Sequence, residues 1–184
     1  MLSTCDPITS PQFSTPLVES EPMAWYAVRV KSRQERIVAE SLEGKGYGQF
    51  LPLYRTHRRW ADRQKALELP LFPGYVFCRF NPQRRLPILV TPGVVSIVGF
   101  GKMPEPVAPE EIAAIQAAIH SGVLMEPWPF LHAGQRVRVE YGSLAGVEGI
   151  FVKQKSRHRL ILSVALLQRS LSVEIDRELV RAVD

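Results

Sequence analysis

The 184-residue sequence predicts an α+β protein made of two folded parts. Between residues 23 and 122, aromatic and β-branched runs of strand length alternate with amphipathic runs of helical length. From residue 133 onward the sequence holds five short β-rich runs separated by Gly, Ser and basic turns. The Pro-containing stretch 123–132 lies between the two patterns and predicts a linker. We therefore expect a β-α-β-β-α-β-α unit followed by a small five-stranded barrel, because closing a sheet removes its exposed edges.

Ahead of the first strand, Ser, Thr and Pro occupy half the positions of residues 1–22. A segment with so few bulky apolar side chains cannot bury enough surface to offset the entropy of ordering, which predicts a disordered tail. The segment also lacks the basic start and apolar centre of a secretory signal. No apolar run in the chain reaches the length of a membrane span. We accordingly expect a cytoplasmic protein.

The elements of the first part follow from periodicity and capping patterns. Ser32 and Glu35 have the spacing of a capping box, and the apolar residues after them recur on one helical face as far as Leu42. Asn81 and Pro82 suit the start of a short second helix. The clearest helix is at 110–121, with acids in its first turn, isoleucines at i, i+3 and i+7 and a glycine at its end. Strands are expected at 23–30, 49–54, 75–80 and 94–100, and those of the second part at 135–139, 149–153, 160–166, 171–175 and 179–183.

The positive charge of the chain is concentrated in one run. The chain carries 23 Lys and Arg against 18 Asp and Glu, a net charge of +5. Residues 55–65 alone hold five cations and one anion. Such a run attracts phosphate backbones through release of counterions, but a solvated loop can have the same composition. Composition leaves both interpretations open.

Patterns that indicate catalysis or metal binding are absent from the sequence. There is no nucleophile elbow, P-loop, dinucleotide-binding glycine motif or His-Glu-x-x-His. The four histidines are scattered, and the two cysteines, Cys5 and Cys78, are too few for a disulfide framework or a four-cysteine zinc site. The sequence therefore predicts a protein that is not an enzyme and carries neither metal nor cofactor.

Two motifs resemble those of one protein family. Residues 71–77 read Leu-Phe-Pro-Gly-Tyr-Val-Phe, and they follow the basic run and precede Thr-Pro-Gly-Val at 91–94. This order resembles the N-terminal (NGN) domain of the NusG/RfaH transcription elongation factors. Residues 134–149 resemble the KOW motif that opens the C-terminal barrel of these factors. The likeness covers roughly 24–184, so the chain is identified as a member of this family, as a specialised paralogue because the usual aromatics of the KOW motif are replaced.

The resemblance implies an architecture and a general role. The NGN domain is a four-stranded antiparallel sheet flanked by helices, and the KOW domain is a five-stranded SH3-like barrel. The role is that of a non-enzymatic, monomeric factor that binds RNA polymerase, promotes processive elongation and acts in antitermination and termination control. The implied boundaries are a tail at 1–22, an NGN domain at 23–122, a linker at 123–132 and a KOW domain at 133–184.

The resemblance also implies an apolar, partly aromatic patch that binds the clamp helices of the largest polymerase subunit. Large rigid rings suit contact with an amphipathic helix. For Phe72 and Phe77 a role in the core is an equal alternative, whereas the position of Tyr75 beside a Pro-Gly turn favours the interface. The matching positions are Phe72, Tyr75, Phe77 and Phe100.

The basic run corresponds to a hairpin that lies near upstream or non-template DNA in this family. Trp60 is a candidate for base stacking. Phosphate contact is favoured over base readout, because the polar residues that read a DNA element in specialised relatives are not reproduced at 41–45. The candidate nucleic-acid-binding residues are Lys31, Arg58, Arg59, Trp60, Arg63 and Lys65.

In the KOW domain the resemblance implies an apolar loop that contacts a ribosomal protein or the Rho termination factor. The two loop positions that are usually aromatic are Leu144 and Val147 here, so the partner can differ, or the two side chains fill the end of the barrel. Frequent β-branched residues and three nearby glycines favour a barrel over the helical form known in some relatives. The alternative function is that of a ribosome-associated KOW protein that binds structured RNA.

Overall fold

The computed structural model describes residues 23–60, 63–130, 134–154 and 157–183, and the predicted tail at 1–22 lies outside them. The fold class is confirmed as α+β, with an N-terminal sheet and helices followed by an antiparallel C-terminal sheet. In the described ranges no helix is long and apolar enough to cross a membrane.

The first part of the chain contains eight strands and three helices within the described residues. Four of the strands form an antiparallel sheet, as predicted, and the others form two separate hairpins. In chain order the elements are β1 (Ala24–Val30), α1 (Glu35–Gly44), β2 (Gly48–Phe50), β3 (Leu53–Trp60), β4 (Arg63–Pro70), β5 (Tyr75–Phe80), α2 (Leu86–Leu89), β6 (Val94–Ile97), β7 (Gly99–Phe100), β8 (Met103–Pro104) and α3 (Pro109–His120). The sheet has the order β2-β5-β1-β6.

The second part forms one antiparallel sheet of six strands. Its elements are β9 (Met125–Trp128), β10 (Gln135–Val139), β11 (Glu148–Gln154), β12 (Arg157–Val164), β13 (Arg169–Glu174) and β14 (Val180–Ala182). The order is β14-β10-β11-β12-β13-β9, so all five predicted strands are present and a sixth lies beside them.

Both faces of the N-terminal sheet are buried, because successive side chains of a strand point to opposite faces. Tyr26 and Val28 of β1 belong to a buried cluster with Leu42 of α1 and Ile88 of α2. Ala27 of β1 belongs to a second buried cluster, on the other face, that includes α3. The sheet thus lies between α1 and α2 on one side and α3 on the other.

The second cluster continues from α3 into the C-terminal sheet. Ile112 and Ile115 are fully buried and share the cluster with Leu160 and Leu162 of β12. Helix α3 contacts both β1 and β12. One apolar core therefore spans the boundary between the two parts of the chain.

The start of α1 differs from the predicted capping box. The N-cap is Gln34 and makes no side-chain cap bond. The Glu35 carboxylate is buried and its Oε1 accepts the backbone N–H of Gly74 at 2.9 Å. Glu35 is therefore engaged by the turn before β5, and the expected reciprocal bond with Ser32 does not form.

Part of the stretch interpreted as a linker is a strand. β9 pairs with β13, with Pro127 opposite Leu171. The prolines that suggest a linker are compatible with β9 because it lies at the edge of the sheet, where a missing N–H costs no ladder bond. The guanidinium of Arg159 in β12 reaches across β13 and lies 5.0 Å from the ring centroid of Trp128 in β9.

Candidate functional site

Two of the four aromatic residues assigned to the polymerase-binding patch are buried. Phe72 and Phe77 are 1 % and 0 % exposed, and their rings pack edge to face with centroids 5.7 Å apart. Phe77 also stacks on Phe50 at 6.1 Å. Both residues belong to the buried cluster shared with the C-terminal sheet. They serve as core in this arrangement of the chain, and their role as a contact surface stays a prediction.

The third aromatic residue, Tyr75, is half-buried beneath a residue of the C-terminal sheet. The guanidinium of Arg169 lies over its ring at 5.3 Å from the centroid. Arg169 Nη1 also donates to the Pro73 carbonyl at 3.4 Å. Arg169 is the first residue of β13, so this strand covers the Pro-Gly turn that precedes β5.

The fourth aromatic residue, Phe100, is 89 % exposed. It lies on the short hairpin of β7 and β8, directly opposite Met103, which is also exposed. Gly99 has space only for a hydrogen, since a Cβ there would lie 2.1 Å from the Met103 carbonyl oxygen. The hairpin therefore presents a cross-strand pair of large apolar side chains to solvent.

A second polar contact joins the two parts of the chain at α3. The backbone N–H of Ala165 donates to Glu111 Oε1 at 3.1 Å. Burial raises the pKa of Glu111; the bond from Ala165 acts in the opposite direction and the charge of Glu110 adds to the rise. The Glu111 carboxyl is thus held at the contact in a partly desolvated position.

A cleft of about 520 Å³ lies beside this contact. Ala113 and Ala117 of α3 line one side, and Val147 and Leu162 of the C-terminal part of the chain line the other. Three acidic residues, Glu110, Glu111 and Glu148, also line the cleft. Val147, assigned to partner binding, therefore faces α3.

Both candidate partner-binding residues of the C-terminal loop are buried. Leu144 and Val147 belong to the core cluster, and the Val147 N–H donates to the Leu144 carbonyl at 3.0 Å within a tight turn. In the same loop Tyr141 is exposed. Filling the end of the sheet was one of the two interpretations of Leu144 and Val147, and their burial agrees with it.

The basic run forms the hairpin of β3 and β4. Its register pairs Arg58 with Lys65, Arg59 with Gln64 and Trp60 with Arg63. Residues 61–62 lie outside the described part, and for 57–60 and 63–65 the description covers the backbone alone. Since opposite residues of an antiparallel pair share a face, positions 58, 60, 63 and 65 lie on one face of the ribbon. Four of the five candidate nucleic-acid-binding residues of the hairpin therefore lie at positions on the same face.

An exposed ion-pair network ties the base of this hairpin to α1. Glu68 of β4 lies between Arg36 of α1 at 3.3 Å and Arg55 of β3 at 3.4 Å. The hydrogen bonds from Arg36 and then Arg55 lower the pKa of Glu68. The network thus links β3 and β4 to α1 at the surface.

The remaining nucleic-acid candidate, Lys31, lies at the turn between β1 and α1. Its side chain is exposed and its backbone N–H donates to the Gly93 carbonyl at 2.8 Å. Two residues on, Arg33 has a φ of 65°, an uncommon conformation for a residue with a side chain. Lys31 precedes α1 in the chain and the hairpin follows it.

The described residues contain no group of three or more His, Cys, Asp or Glu placed to hold a metal ion. Cys78 is buried in β5, and burial raises the pKa of its thiol to about 12, which leaves it unreactive at neutral pH.

Sequence reasoning did not find Arg169, Glu111 or Tyr141. Arg169 and Glu111 act at a contact between residues 54 or more positions apart, for which a single sequence has no local signal. Tyr141 did have a signal, since it is a lone aromatic residue between a strand and Gly142.

Comparison with known proteins places these features in a family context. A family model described as "Transcription termination factor nusG" matches residues 23–116. The transcription termination/antitermination protein NusG of Helicobacter pylori strain J99 is 25 % identical over 168 residues, covering 83 % of this chain and 94 % of that protein. The protein of the same name from Thermus thermophilus is 27 % identical over 175 residues, covering 83 % and 94 %.

A solved structure has the same fold. The structure described as "Domain interaction in Thermotoga maritima NusG" matches with a TM-score of 0.55 at 21 % identity, covering 89 % of this chain and 98 % of that one. The likeness extends over both sheets.

Proposed function

The chain belongs to the NusG family of transcription termination factors, and we propose that it is an elongation factor that binds RNA polymerase and acts in antitermination or termination control. The observation that carries the proposal is the extent of the family match. It spans 23–116, which includes all four aromatic candidates and the complete basic hairpin. The factor acts by contact, without catalysis, and in the cytoplasm where polymerase works.

Polymerase binding is assigned to the face of the N-terminal sheet that α3 partly covers. Tyr75 packs on this face and becomes accessible once Arg169 moves away. The assignment also includes Phe100 and Met103, which are exposed on the separate hairpin of β7 and β8. An amphipathic clamp helix needs large apolar side chains of this kind for its contact. The proposal therefore requires that β13 leaves the Pro73-Gly74 turn before or during binding.

The basic hairpin is assigned to upstream or non-template DNA. Arg58, Trp60, Arg63 and Lys65 share one face of the ribbon by register, an arrangement that suits a phosphate backbone with one stacked base. The sequence of this face gives no pattern for base-specific readout.

The C-terminal sheet is assigned to a second protein partner, a ribosomal protein or Rho. Leu144 and Val147 replace the usual aromatics and are buried, so the accessible aromatic of the loop is Tyr141. This change supports a specialised paralogue with an altered partner. A ribosome-associated RNA-binding function would not account for the match of the NusG family model to residues 23–116.

The test uses the full chain and a polymerase elongation complex assembled on a defined nucleic-acid scaffold. Combining Tyr75→Ala with Phe100→Ala is expected to weaken binding about tenfold or more, because exposed aromatic anchors dominate such contacts. Ile37→Ala, which removes an exposed apolar side chain of α1, is the matched control and should bind normally. Unchanged affinity of the double variant, or binding to ribosomal subunits in preference to polymerase, would refute the proposal.

A further inference from the structure

The α2 side of the N-terminal sheet carries an exposed apolar face. Leu86 and Val90 are 68 % and 64 % exposed, and Leu89 and Val95 are exposed as well. Leu86, Leu89 and Val90 have the spacing i, i+3, i+4 and so project from one side of a helical turn. We call these four residues the α2 face. Clustered exposure of this kind marks an interaction site more often than isolated exposed residues do.

The α2 face is held rigidly and lies away from the C-terminal sheet. Ile88, in the middle of α2, is fully buried in the cluster that contains Leu42 of α1. That cluster lies on the face of the sheet opposite α3 and the contact with β13. The α2 face thus remains available whether or not Arg169 covers Tyr75.

The chain segment that carries the α2 face has charges of one sign. Residues 69–104 contain four Lys or Arg and no Asp or Glu. Arg84 and Arg85 directly precede Leu86, and Arg84 is exposed. Lys45, directly after α1, donates from Nζ to the Pro87 carbonyl at 3.0 Å and to Thr91 Oγ1 at 2.6 Å, which places a third cation against α2.

We propose that the α2 face docks an acidic amphipathic helix of a partner protein. An apolar row of such a helix covers Leu86, Leu89 and Val90, and carboxylates along its edge pair with Arg84, Arg85 and Lys45. This inference goes beyond the elongation-factor role and does not depend on it.

The shape and chemistry of the face favour this occupant over two others. Aliphatic side chains offer no platform for base stacking, which disfavours single-stranded nucleic acid. A single helical turn is too short to lie in a bilayer surface as an amphipathic helix does. A protein helix needs only a short apolar ridge with charged residues beside it.

The test is a titration of the isotope-labelled full chain with two designed helical peptides of about 14 residues, four turns long. Both peptides carry the same apolar row; one has Glu and the other Lys at every edge position. The acidic peptide is expected to shift the backbone amide resonances of residues 86–95 and to bind about tenfold more tightly than the basic one. A duplex DNA of similar charge is titrated in parallel.

Substitutions of exposed residues then locate the site without unfolding the protein. Leu86→Ser combined with Val90→Ser should weaken binding of the acidic peptide about thirtyfold, because roughly 1 kcal/mol of apolar contact is lost for each of the two side chains. Arg84→Glu should reduce the ratio by which the protein binds the acidic peptide more tightly than the basic peptide. Ile37→Ser, at an exposed apolar residue of α1, is the control and should leave binding unchanged.

Three results would overturn the proposal. The first is that neither peptide binds, or that the basic peptide binds as well as the acidic one. The second is that the acidic peptide shifts the amides of β3 and β4 and leaves 86–95 unchanged, which would indicate simple attraction to the basic hairpin. The third is that the DNA shifts 86–95 at lower concentration than the acidic peptide.

Discussion

Arg169 and Tyr75 connect the two parts of the chain through a cation–π contact, with the guanidinium carbon 5.3 Å from the centroid of the ring. The same tyrosine is the residue that the proposed function assigns to polymerase. A contact of this type contributes about 0.5–2 kcal/mol, depending on its exposure. It is therefore strong enough to favour the covered arrangement and weak enough for a partner to displace.

Removal of the Arg169 side chain should expose Tyr75. Arg169→Gln is expected to raise the affinity of the full chain for a polymerase elongation complex about two- to tenfold, as 0.5–1.4 kcal/mol of competing contact is lost. The matched control is Arg181→Gln, an exposed arginine of β14 that pairs with Glu140. Equal affinities of the two variants, measured by equilibrium titration, would contradict the role of Arg169.

Glu111 should make stability depend on pH. Burial raises the folded-state pKa of Glu111 above the ordinary value of 4.5. Its contribution to folding stability is therefore present at a pH below the ordinary value and is lost as the pH rises through the raised pKa. Glu111→Gln keeps an acceptor for the Ala165 N–H and cannot ionise. The variant is expected to be more stable than the parent in urea at pH 7 and no more stable at acidic pH. Equal stability of Glu111→Gln and the parent at pH 7 would contradict this role of Glu111.

Gly93 should tolerate no side chain. Its φ is +93°, and a Cβ would lie 2.6 Å from Gln34 Oε1 and 2.8 Å from Val38 Cγ2. Gly93→Ala is expected to cost about 2–4 kcal/mol in chemical denaturation, from left-handed strain and crowding at the start of α1. Gly46→Ala is the control, because Gly46 has a similar φ of +83° with nothing near its Cβ, and should cost about 1–2 kcal/mol. Equal losses of unfolding free energy in the two variants would show that the start of α1 accommodates the added methyl group without an energetic cost.

Trp128 should contribute to stability if β9 is part of the C-terminal sheet. Trp128→Ala removes the ring that Arg159 covers and is expected to cost about 1–3 kcal/mol in urea denaturation. Leu124→Ala, at an exposed residue four positions earlier, should be nearly neutral. If residues 123–132 were a free linker, both substitutions would be neutral.

The basic hairpin should determine the salt dependence of nucleic-acid binding. Arg58→Ala with Arg63→Ala, two positions on the same face of the ribbon, is expected to reduce the slope of log affinity against log salt by up to about 2 on duplex DNA, because each phosphate contact contributes about 0.9. The control replaces Arg136 and Arg138, whose partner is Glu148 in the C-terminal sheet. A slope that does not change would mean that the run is a solvated hairpin only.

Periodicity was sufficient to predict most elements, since it reflects local geometry. Ile112 and Ile115 of α3 are buried as their spacing predicts, and Ile119 packs partly buried against the same cluster. Long-range partners were decisive where prediction was wrong. Ser32 and Glu35 have capping-box spacing, but Glu35 is engaged by Gly74, 39 residues away. Pro127 indicated a linker, because a proline is tolerated in a strand mainly at the edge of a sheet. The edge position of β9 depends on its pairing with β13, which the local sequence does not show.

The candidate site shows the same limit more strongly. Phe77 and Phe100 are the same residue type in adjacent strand-like runs, yet one is fully buried and the other almost fully exposed. What separates them is the position of α3 and the C-terminal sheet, which no local pattern encodes. Arg169 and Tyr75 lie 94 residues apart in the sequence, and each is unremarkable in its own segment.

The assignment of β9 to the C-terminal sheet shortens the tether between the two parts of the chain. Only residues 121–124 separate the end of α3 from β9, a reach of at most about 18 Å when fully extended. If the C-terminal sheet dissociates from Tyr75 while β9 stays paired with β13, the sheet remains near Tyr75 at a local concentration on the order of millimolar. A partner that binds Tyr75 must therefore compete with the C-terminal sheet at that local concentration. Lengthening residues 121–124 would lower the local concentration of the sheet, so that polymerase would bind Tyr75 at a lower concentration of its own.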